Sequence, residues 1–136
     1  MKDFDIIVIG GGLSGSSTAL HLSMQGHSVL ILEKEVDQII RPFAGGMASS
    51  MKKFIPLDIE KAIESKIKNV EFRWKAADNV TADLSGESPF WIVKREVLDK
   101  LLLDEALKYG AKILKPVIVN KITKEKNKWD IKCTNQ

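Results

Sequence analysis

Cysteine is nearly absent from this chain, since Cys133 is the only one among its 136 residues. A single cysteine excludes an intrachain disulfide and a multi-cysteine zinc site. Neither histidine, His21 nor His27, has a cysteine or carboxylate at ligand spacing, so no metal site is expected. Sparse cysteine also favours the cell interior, and we expect a cytoplasmic protein, with peripheral membrane contact left open.

Charged side chains are missing between Ile6 and Leu32, a run long enough to raise the question of a membrane span. The run nevertheless contains five glycines and five serines, and Gly10, Gly11 and Gly12 interrupt it after only four apolar residues. It also lacks the continuous apolar block and the cleavage site of a secretory signal. We therefore expect this run to be buried core and predict no transmembrane segment.

Net charge is small, at +3 from 21 basic and 18 acidic residues, but it is unevenly distributed. Residues 108–136 carry eight lysines, two acidic residues and no arginine. Such a cluster fits a patch for nucleic acid or anionic membrane, or the solvated face of a hairpin. Because arginine dominates specific nucleic-acid contacts, we favour the hairpin and expect no nucleic-acid partner. A hydrophobic fraction of 44% fits one ordinary domain, which we expect to span residues 1–136.

The amino-terminal part of the chain has the pattern of a strand, a helix and a second strand. Residues 5–9 are a short run rich in β-branched side chains, and residues 28–33 have the pattern of a second buried strand. Between them, residues 13–25 show helical spacing of apolar side chains and end at Gly26, a typical stop signal. This order predicts a right-handed βαβ unit with parallel strands.

The rest of the chain predicts further elements of both kinds, so the fold class is α/β. We expect residues 111–114 to return to a parallel central sheet and an antiparallel hairpin to follow it. The remaining expectations are a loop at 34–50, a helix at 57–67, half-buried paired strands at 70–75 and 80–84, a strand at 90–93, a helix at 95–109, and hairpin strands at 117–122 and 128–133.

A glycine pattern between the first strand and the first helix carries the main chemical signal. Gly10, Gly12 and Gly15 have the spacing that allows a tight turn, close approach of a diphosphate, and close packing of helix on strand. Free N–H groups at a helix start then bind the phosphates. Glu33 ends the second strand, where a carboxylate accepts hydrogen bonds from ribose hydroxyls and disfavours a 2′-phosphate. The pattern predicts a Rossmann-like site for FAD or NAD(H).

Two further stretches each allow two interpretations. Small residues in the segment 41–48 let the main chain approach a flat ligand, or they form a plain surface loop. Arg95 stands at a predicted helix start, where the helix dipole does not favour a cation. A phosphate partner explains that placement, and so does an ion pair with Asp99 one helical turn later.

Together these residues resemble a known family. Glu33 after the glycine turn, the loop that begins Arg41-Pro42, and the sequence Arg95-x-x-Leu-Asp-x-x-Leu resemble the FAD-binding domain of the para-hydroxybenzoate-hydroxylase-like flavoproteins. Within that superfamily, residues 41–49 and 90–95 are most similar to the geranylgeranyl reductase family, especially its bacterial members. The likeness spans the whole chain but only about the first third of a usual member, so we expect a truncated form with no substrate domain.

The resemblance implies FAD as the cofactor and assigns roles to named residues. The glycine-rich turn and helix start would bind the diphosphate, Glu33 the adenosine ribose, the loop glycines the flavin end, and Arg95 the ribityl–phosphate middle. The full set of implied cofactor-binding residues is Gly10, Gly12, Leu13, Ser14, Gly15, Glu33, Lys34, Arg41, Ala44, Gly45, Gly46, Met47 and Arg95. It assigns no catalytic residue.

The implied activity is reduction of isoprenoid carbon–carbon double bonds, with electrons from NADPH or a reduced carrier passing through FAD. Two alternatives stay open. The chain is a truncated dinucleotide-binding module without turnover, or it is part of a flavin-dependent aromatic hydroxylase or halogenase. A parallel sheet without its closing strands would have exposed edges, so we also expect self-association or a partner chain that completes the fold.

Overall fold

The computed structural model describes residues 3–36, 45–74, 78–83 and 89–135. It contains two α-helices and ten strands within those ranges, together with two short 3-10 helices at Ser49–Phe54 and Glu60–Ala62. In chain order the elements are β1 (Ile6–Ile9), α1 (Leu13–Met24), β2 (Val29–Leu32), β3 (Gly46–Ala48), β4 (Ile63–Ile67), β5 (Asn69–Trp74), β6 (Asp78–Asp83), β7 (Phe90–Val93), α2 (Arg95–Lys108), β8 (Lys112–Leu114), β9 (Val117–Glu125) and β10 (Lys128–Asn135).

The chain divides into two compact units. The first consists of Met1–Ile40 and Asp99–Gln136, and the second of Arg41–Leu98. The division falls inside α2, so this helix begins in the second unit and ends in the first. Among the described residues, no helix combines the length and the apolar character that crossing a membrane would require.

A parallel sheet in the order β1-β2-β8 forms the centre of the first unit. β1 runs parallel to β2, with Ile6 opposite Val29, and β2 runs parallel to β8, with Ile31 opposite Ile113. The apolar side chains of β2 are the most deeply buried, because this strand has neighbours on both edges. The predicted α/β fold, with its βαβ start and the return of residues 111–114 to the main sheet, is confirmed.

Helix α1 and the β9–β10 hairpin belong to opposite faces of this sheet. Val8 faces α1, since a Cβ atom built at Gly15 would lie 3.3 Å from its Cγ1. Ile7 and Leu30 point the other way, because successive strand residues alternate between faces. On that side a cavity of about 830 Å³ separates the sheet from Trp129 and other β10 residues. The first unit is therefore a helix layer, a parallel sheet and an antiparallel hairpin.

A hairpin is present in the lysine-rich segment, as predicted. β9 and β10 pair antiparallel across a turn at Lys126, whose φ is +48°. The lysines of both strands are exposed. Cys133 is half-buried in β10, as expected for a small apolar side chain in a strand.

The second unit contains a three-stranded antiparallel sheet, β3-β7-β4, and a separate two-stranded ribbon, β5–β6. The predicted helix at 57–67 is wrong, because most of that segment is a 3-10 turn at Glu60–Ala62 followed by β4. Ile59, Ile63 and Ile67 have helical spacing, but Ile63 and Ile67 instead pair with β7. Strand pairing across the chain therefore overrides the local periodicity.

The predicted loop at 34–50 is also partly wrong. Gly46–Ala48 forms β3, which pairs antiparallel with β7. Residues 37–44 of that loop lie outside the described residues.

The β5–β6 ribbon pairs as predicted, with Phe72 opposite Val80, but it is not half-buried. Phe72, Trp74 and Val80 share one face and are 61%, 69% and 62% exposed. The second unit thus presents an open apolar face on this ribbon.

Candidate functional site

The glycine-rich turn connects β1 to α1 in a conformation that requires glycine at its first position. Gly10 has a φ of +97°, in the region that L side chains rarely adopt. Its N–H donates to the carbonyl oxygen of Leu32 at 2.7 Å, which continues the β1–β2 pairing into the turn. The tight turn expected at Gly10 is therefore present.

Gly15 allows α1 to pack directly on this turn. A Cβ atom at position 15 would lie 1.9 Å from the carbonyl oxygen of Gly10, a separation no real structure can hold. The expected reason for the third glycine, close packing of the helix on the strand, is confirmed. The role of Gly15 toward a cofactor stays a prediction.

The amino-terminal end of α1 is suited to an anion. Gly12 is the N-cap, and within the described chain this end has no side-chain cap and no acidic residue in its first turn. The N–H of Ser16 donates to the carbonyl oxygen of Gly12 at 2.8 Å, which is the first hydrogen bond of the helical type. The N–H groups of Leu13, Ser14 and Gly15 precede it, so the helix itself does not satisfy them. These donors and the helix dipole together favour a phosphate group.

Glu33 directs its carboxylate toward the same turn. Its Oε2 accepts the N–H of Gly11 at 2.5 Å, and its Oε1 accepts the N–H of Glu35 at 3.0 Å. The side chain is half-buried at the end of β2. The acidic group thus lies beside the glycine-rich turn, which is the placement that ribose binding requires.

Sequence patterns missed two contributors to this site, Gly11 and Ser16. The hydroxyl of Ser16 is fully buried and donates to the carbonyl oxygen of Gly11 at 2.8 Å. Gly11 therefore has both backbone groups hydrogen-bonded, one to Glu33 and one to Ser16. The only signal in the sequence is a serine four residues after the helix cap, on the face that packs inward.

Apart from Lys34, the other predicted residues belong to the second unit. Gly45 and Gly46 are next to β7, and their lack of side chains has a packing reason there. A Cβ atom at Gly45 would lie 1.8 Å from the carbonyl oxygen of Val93, and one at Gly46 would lie 2.7 Å from the ring of Phe90. Met47 is half-buried, opposite Trp91 in the β3–β7 pair.

Arg95 begins α2, two residues after Val93 ends β7. Because the N–H of Val93 donates to the carbonyl oxygen of Gly45 at 2.8 Å, Arg95 and the loop glycines lie near the same end of β7. Lys34, in the first unit, is 65% exposed and pairs with Glu35 at 3.5 Å. Arg41 and Ala44 lie outside the described residues. The cofactor roles of all these residues stay predictions.

The turn, the uncapped helix and the acidic strand end define a dinucleotide-binding α/β domain. A diphosphate fits the helix start, and a ribose hydroxyl fits the Glu33 carboxylate, so the residues present are compatible with FAD. Within the described part of the chain, no group of three His, Cys, Asp or Glu residues is arranged to hold a metal ion.

Comparison with protein families finds a more specific match within the class of dinucleotide-binding domains. Residues 5–41, which span β1, α1 and β2, match the family described as FAD dependent oxidoreductase. This match covers the whole glycine-rich site and confirms FAD as the predicted cofactor.

Individual relatives agree with this result. The chain is 29% identical to a digeranylgeranylglycerophospholipid reductase of Methanosarcina acetivorans, over 83% of this chain and 29% of that protein. It is also 29% identical to a probable electron transfer flavoprotein-quinone oxidoreductase of Escherichia coli, over 92% of this chain and 32% of that protein.

Among solved structures, a geranylgeranyl bacteriochlorophyll reductase-like protein from Thermoplasma acidophilum has the same fold. It superposes with a TM-score of 0.82 at 22% identity, over 96% of this chain and 34% of that protein. The predicted resemblance to the geranylgeranyl reductase family is confirmed by the sequence relative from Methanosarcina acetivorans, and this solved structure supports the fold. The chain spans about a third of the length of these relatives.

Proposed function

We propose that this chain is the FAD-binding part of a flavin-dependent oxidoreductase that reduces isoprenoid carbon–carbon double bonds. The observation that carries the FAD-binding proposal is the meeting of the Glu33 carboxylate with the glycine-rich turn, at a helix start that has no cap of its own. An anion-binding end and a sugar-binding carboxylate on adjacent elements fit the two halves of an adenosine diphosphate group.

Each part of this site has a defined task. The N–H groups of Leu13, Ser14 and Gly15 bind the diphosphate, and Gly12 lets it approach the backbone. Glu33 accepts hydrogen bonds from the adenosine ribose, and its negative charge repels a 2′-phosphate. Bound FAD supplies the hydride and electron transfer, while the protein orients it and excludes competing reactions.

The family resemblance implies further cofactor contacts at residues outside the glycine-rich turn. Gly45, Gly46 and Met47 would border the flavin end, and Arg95 would bind the ribityl–phosphate middle. The resemblance implies cofactor contacts for Arg41 and Ala44 as well. Lys34 would add a cation near the adenosine. These assignments follow from the family resemblance of the motifs that contain the residues.

The isoprenoid substrate rests on the digeranylgeranylglycerophospholipid reductase relative and on the likeness of residues 41–49 and 90–95. NADPH or a reduced carrier would supply the electrons. We also propose a cytoplasmic location, with peripheral membrane contact as the alternative, and self-association or a partner chain that completes the fold. Size-exclusion chromatography tests self-association, because a sharp monomer peak at high protein concentration would contradict it.

The alternative from a different class of function is a dinucleotide-binding module without turnover, since the helix start and Glu33 are groups that bind a nucleotide. FAD reoxidation that depends on an added isoprenoid would exclude that alternative. Turnover of an aromatic substrate instead would favour the related hydroxylases and halogenases.

Titration of the purified chain with flavins tests the binding proposal directly. We expect saturable binding of FAD, competition by ADP, weak competition by 2′-phosphorylated ADP, and no binding of FMN, which lacks the adenosine half. The folded state is verified by circular dichroism. A folded chain that treats FAD and FMN alike would contradict the proposal.

A charge placed at the helix start sharpens this test. Ser14→Asp puts a carboxylate on an exposed residue of the first turn of α1, and repulsion of the diphosphate should raise the Kd for FAD by about tenfold or more. Thr18→Asp is the matched control, because Thr18 is exposed on the same helix one turn later. Equal affinities of the two variants would place the diphosphate elsewhere.

A further inference from the structure

We infer that Glu33 is a positioning residue as well as a sugar ligand: it holds the glycine-rich turn in its binding shape before a nucleotide arrives. This inference deepens the proposed function and rests on it. Holding the turn is a role that Glu33 has without a bound nucleotide, and it is separate from binding the ribose.

The first step is the fixation of Gly11 from both sides. Its N–H donates to Glu33 and its carbonyl oxygen accepts the buried hydroxyl of Ser16. Gly11 is itself buried. A peptide segment with both polar groups bound has little freedom to rotate, so the orientation of the next residue, the N-cap Gly12, is set as well.

The second step is the rigidity of the residue that holds Gly11. The backbone N–H of Glu33 donates to the carbonyl oxygen of Leu114 at 3.0 Å, and its carbonyl oxygen accepts the N–H of Val117 at 2.8 Å. Glu33 is thus fixed between the end of β8 and the start of β9. Its side chain therefore fixes the turn relative to the central sheet.

The third step is the chemistry of the side chain. The two oxygens accept two different N–H groups, from Gly11 and Glu35, and a carboxylate can accept at both oxygens. An amide side chain would present its NH₂ group to one of these donors.

Hydrogen exchange in the FAD-free chain tests this role. We expect the Gly11 amide to be protected in the wild-type protein and to exchange at least tenfold faster in Glu33→Gln, while the Leu20 amide in the middle of α1 keeps its rate. Glu35→Gln is the matched control, since it removes a neighbouring carboxylate but leaves the Glu35 N–H in place. An unchanged Gly11 rate in Glu33→Gln would overturn the inference.

A pH titration supplies a readout that a general loss of packing would not produce. The Gly11 amide proton resonance should follow the protonation of a carboxylate in the wild type and in Glu35→Gln, and this titration should disappear in Glu33→Gln. If Glu33→Gln does not fold, the wild-type titration alone decides, because a Gly11 resonance that ignores carboxylate protonation would overturn the inference.

Gly11→Ala tests the contact between Gly11 and Glu33 by changing the other residue of the pair. A Cβ atom there would lie 3.2 Å from Glu33 Oε2, so the carboxylate must shift, and the Glu35 amide should exchange faster. FAD titration keeps the two hypotheses separable. Protection of Gly11 without FAD binding would refute the proposed function alone, whereas FAD binding with an unprotected Gly11 would refute the positioning role alone.

Discussion

The carbonyl oxygen of Gly10 leaves no room for a carbon atom on residue 15. Because the Cβ of Gly15→Ala would meet that oxygen at 1.9 Å, α1 must move away from the turn. We expect a loss of about 3 kcal/mol or more in the free energy of unfolding and loss of FAD binding. Urea unfolding and flavin titration measure the two effects.

Ser17→Ala is the control for this substitution, since it adds nothing to the same helix turn and slightly favours helix. Its free energy of unfolding should stay within about 0.5 kcal/mol of the wild type. A stable Gly15→Ala variant that still binds FAD would mean that the helix does not pack on the turn.

At the scale of elements, β1 and β2 are joined at their start by a cluster of Asp5 and Ser28. The carboxylate of Asp5 accepts the hydroxyl of Ser28 at 2.7 Å and its N–H at 2.8 Å, and the N–H of Asp5 donates to the Ser28 hydroxyl. These bonds lower the pKa of Asp5 below its usual 3.8, chiefly through the hydroxyl. The cluster therefore favours the ionised carboxylate.

This shift predicts a dependence of stability on pH. A carboxyl whose pKa is lower in the folded than in the unfolded chain stabilises the fold fully above the unfolded value. That contribution is lost as the pH falls from about 4 through the folded pKa. Asp5→Asn should flatten the acid limb of a urea-midpoint profile between pH 2 and 6, and Ser28→Ala should flatten it similarly. Parallel acid limbs in wild type and Asp5→Asn would contradict this assignment.

Local signals predicted the elements whose partners are close in sequence. The βαβ unit can be predicted from sequence because strand, turn and helix follow one another within residues 5–33, and each glycine of the turn meets one chemical requirement. The structure of the segment 57–67 cannot be predicted in this way. Its isoleucines fit a helix and a strand equally well, and only pairing with β7 determines that the segment forms a strand.

The candidate site divides in the same way. Gly10, Gly15 and Glu33 have the expected geometry, since their positions follow from the order of local elements. The sequence predicts that Gly45 and Gly46 let the main chain approach a flat ligand, yet packing against β7 already requires both residues to be small. Ser16 was missed because a single hydroxyl has no sequence pattern, and its function depends on how the turn folds back.

At the scale of the whole molecule, α2 is shared by the two compact units. Unfolding of either unit would break the hydrogen bonds of this helix, so we expect the single domain predicted from sequence to unfold in one cooperative step. Trp129 belongs to the first unit, and Trp91, 9% exposed, belongs to the second. Each therefore reports on one unit.

Two variants separate these signals. Trp74→Phe with Trp91→Phe leaves only Trp129, and Trp74→Phe with Trp129→Phe leaves only Trp91. For each variant, the urea midpoint from tryptophan fluorescence should agree with that from circular dichroism within about 0.3 M. A clear gap in either variant would make the units independently folding bodies.

The open face of the β5–β6 ribbon, with Phe72, Trp74 and Val80 each more than 60% exposed, affects how the folded state is recognised in solution. Dyes such as ANS fluoresce on accessible apolar surface, and their signal is commonly used to diagnose a molten globule. The native chain already offers such a surface. ANS emission would therefore be bright in the fully folded protein, and near-ultraviolet circular dichroism would be needed to distinguish native from molten samples.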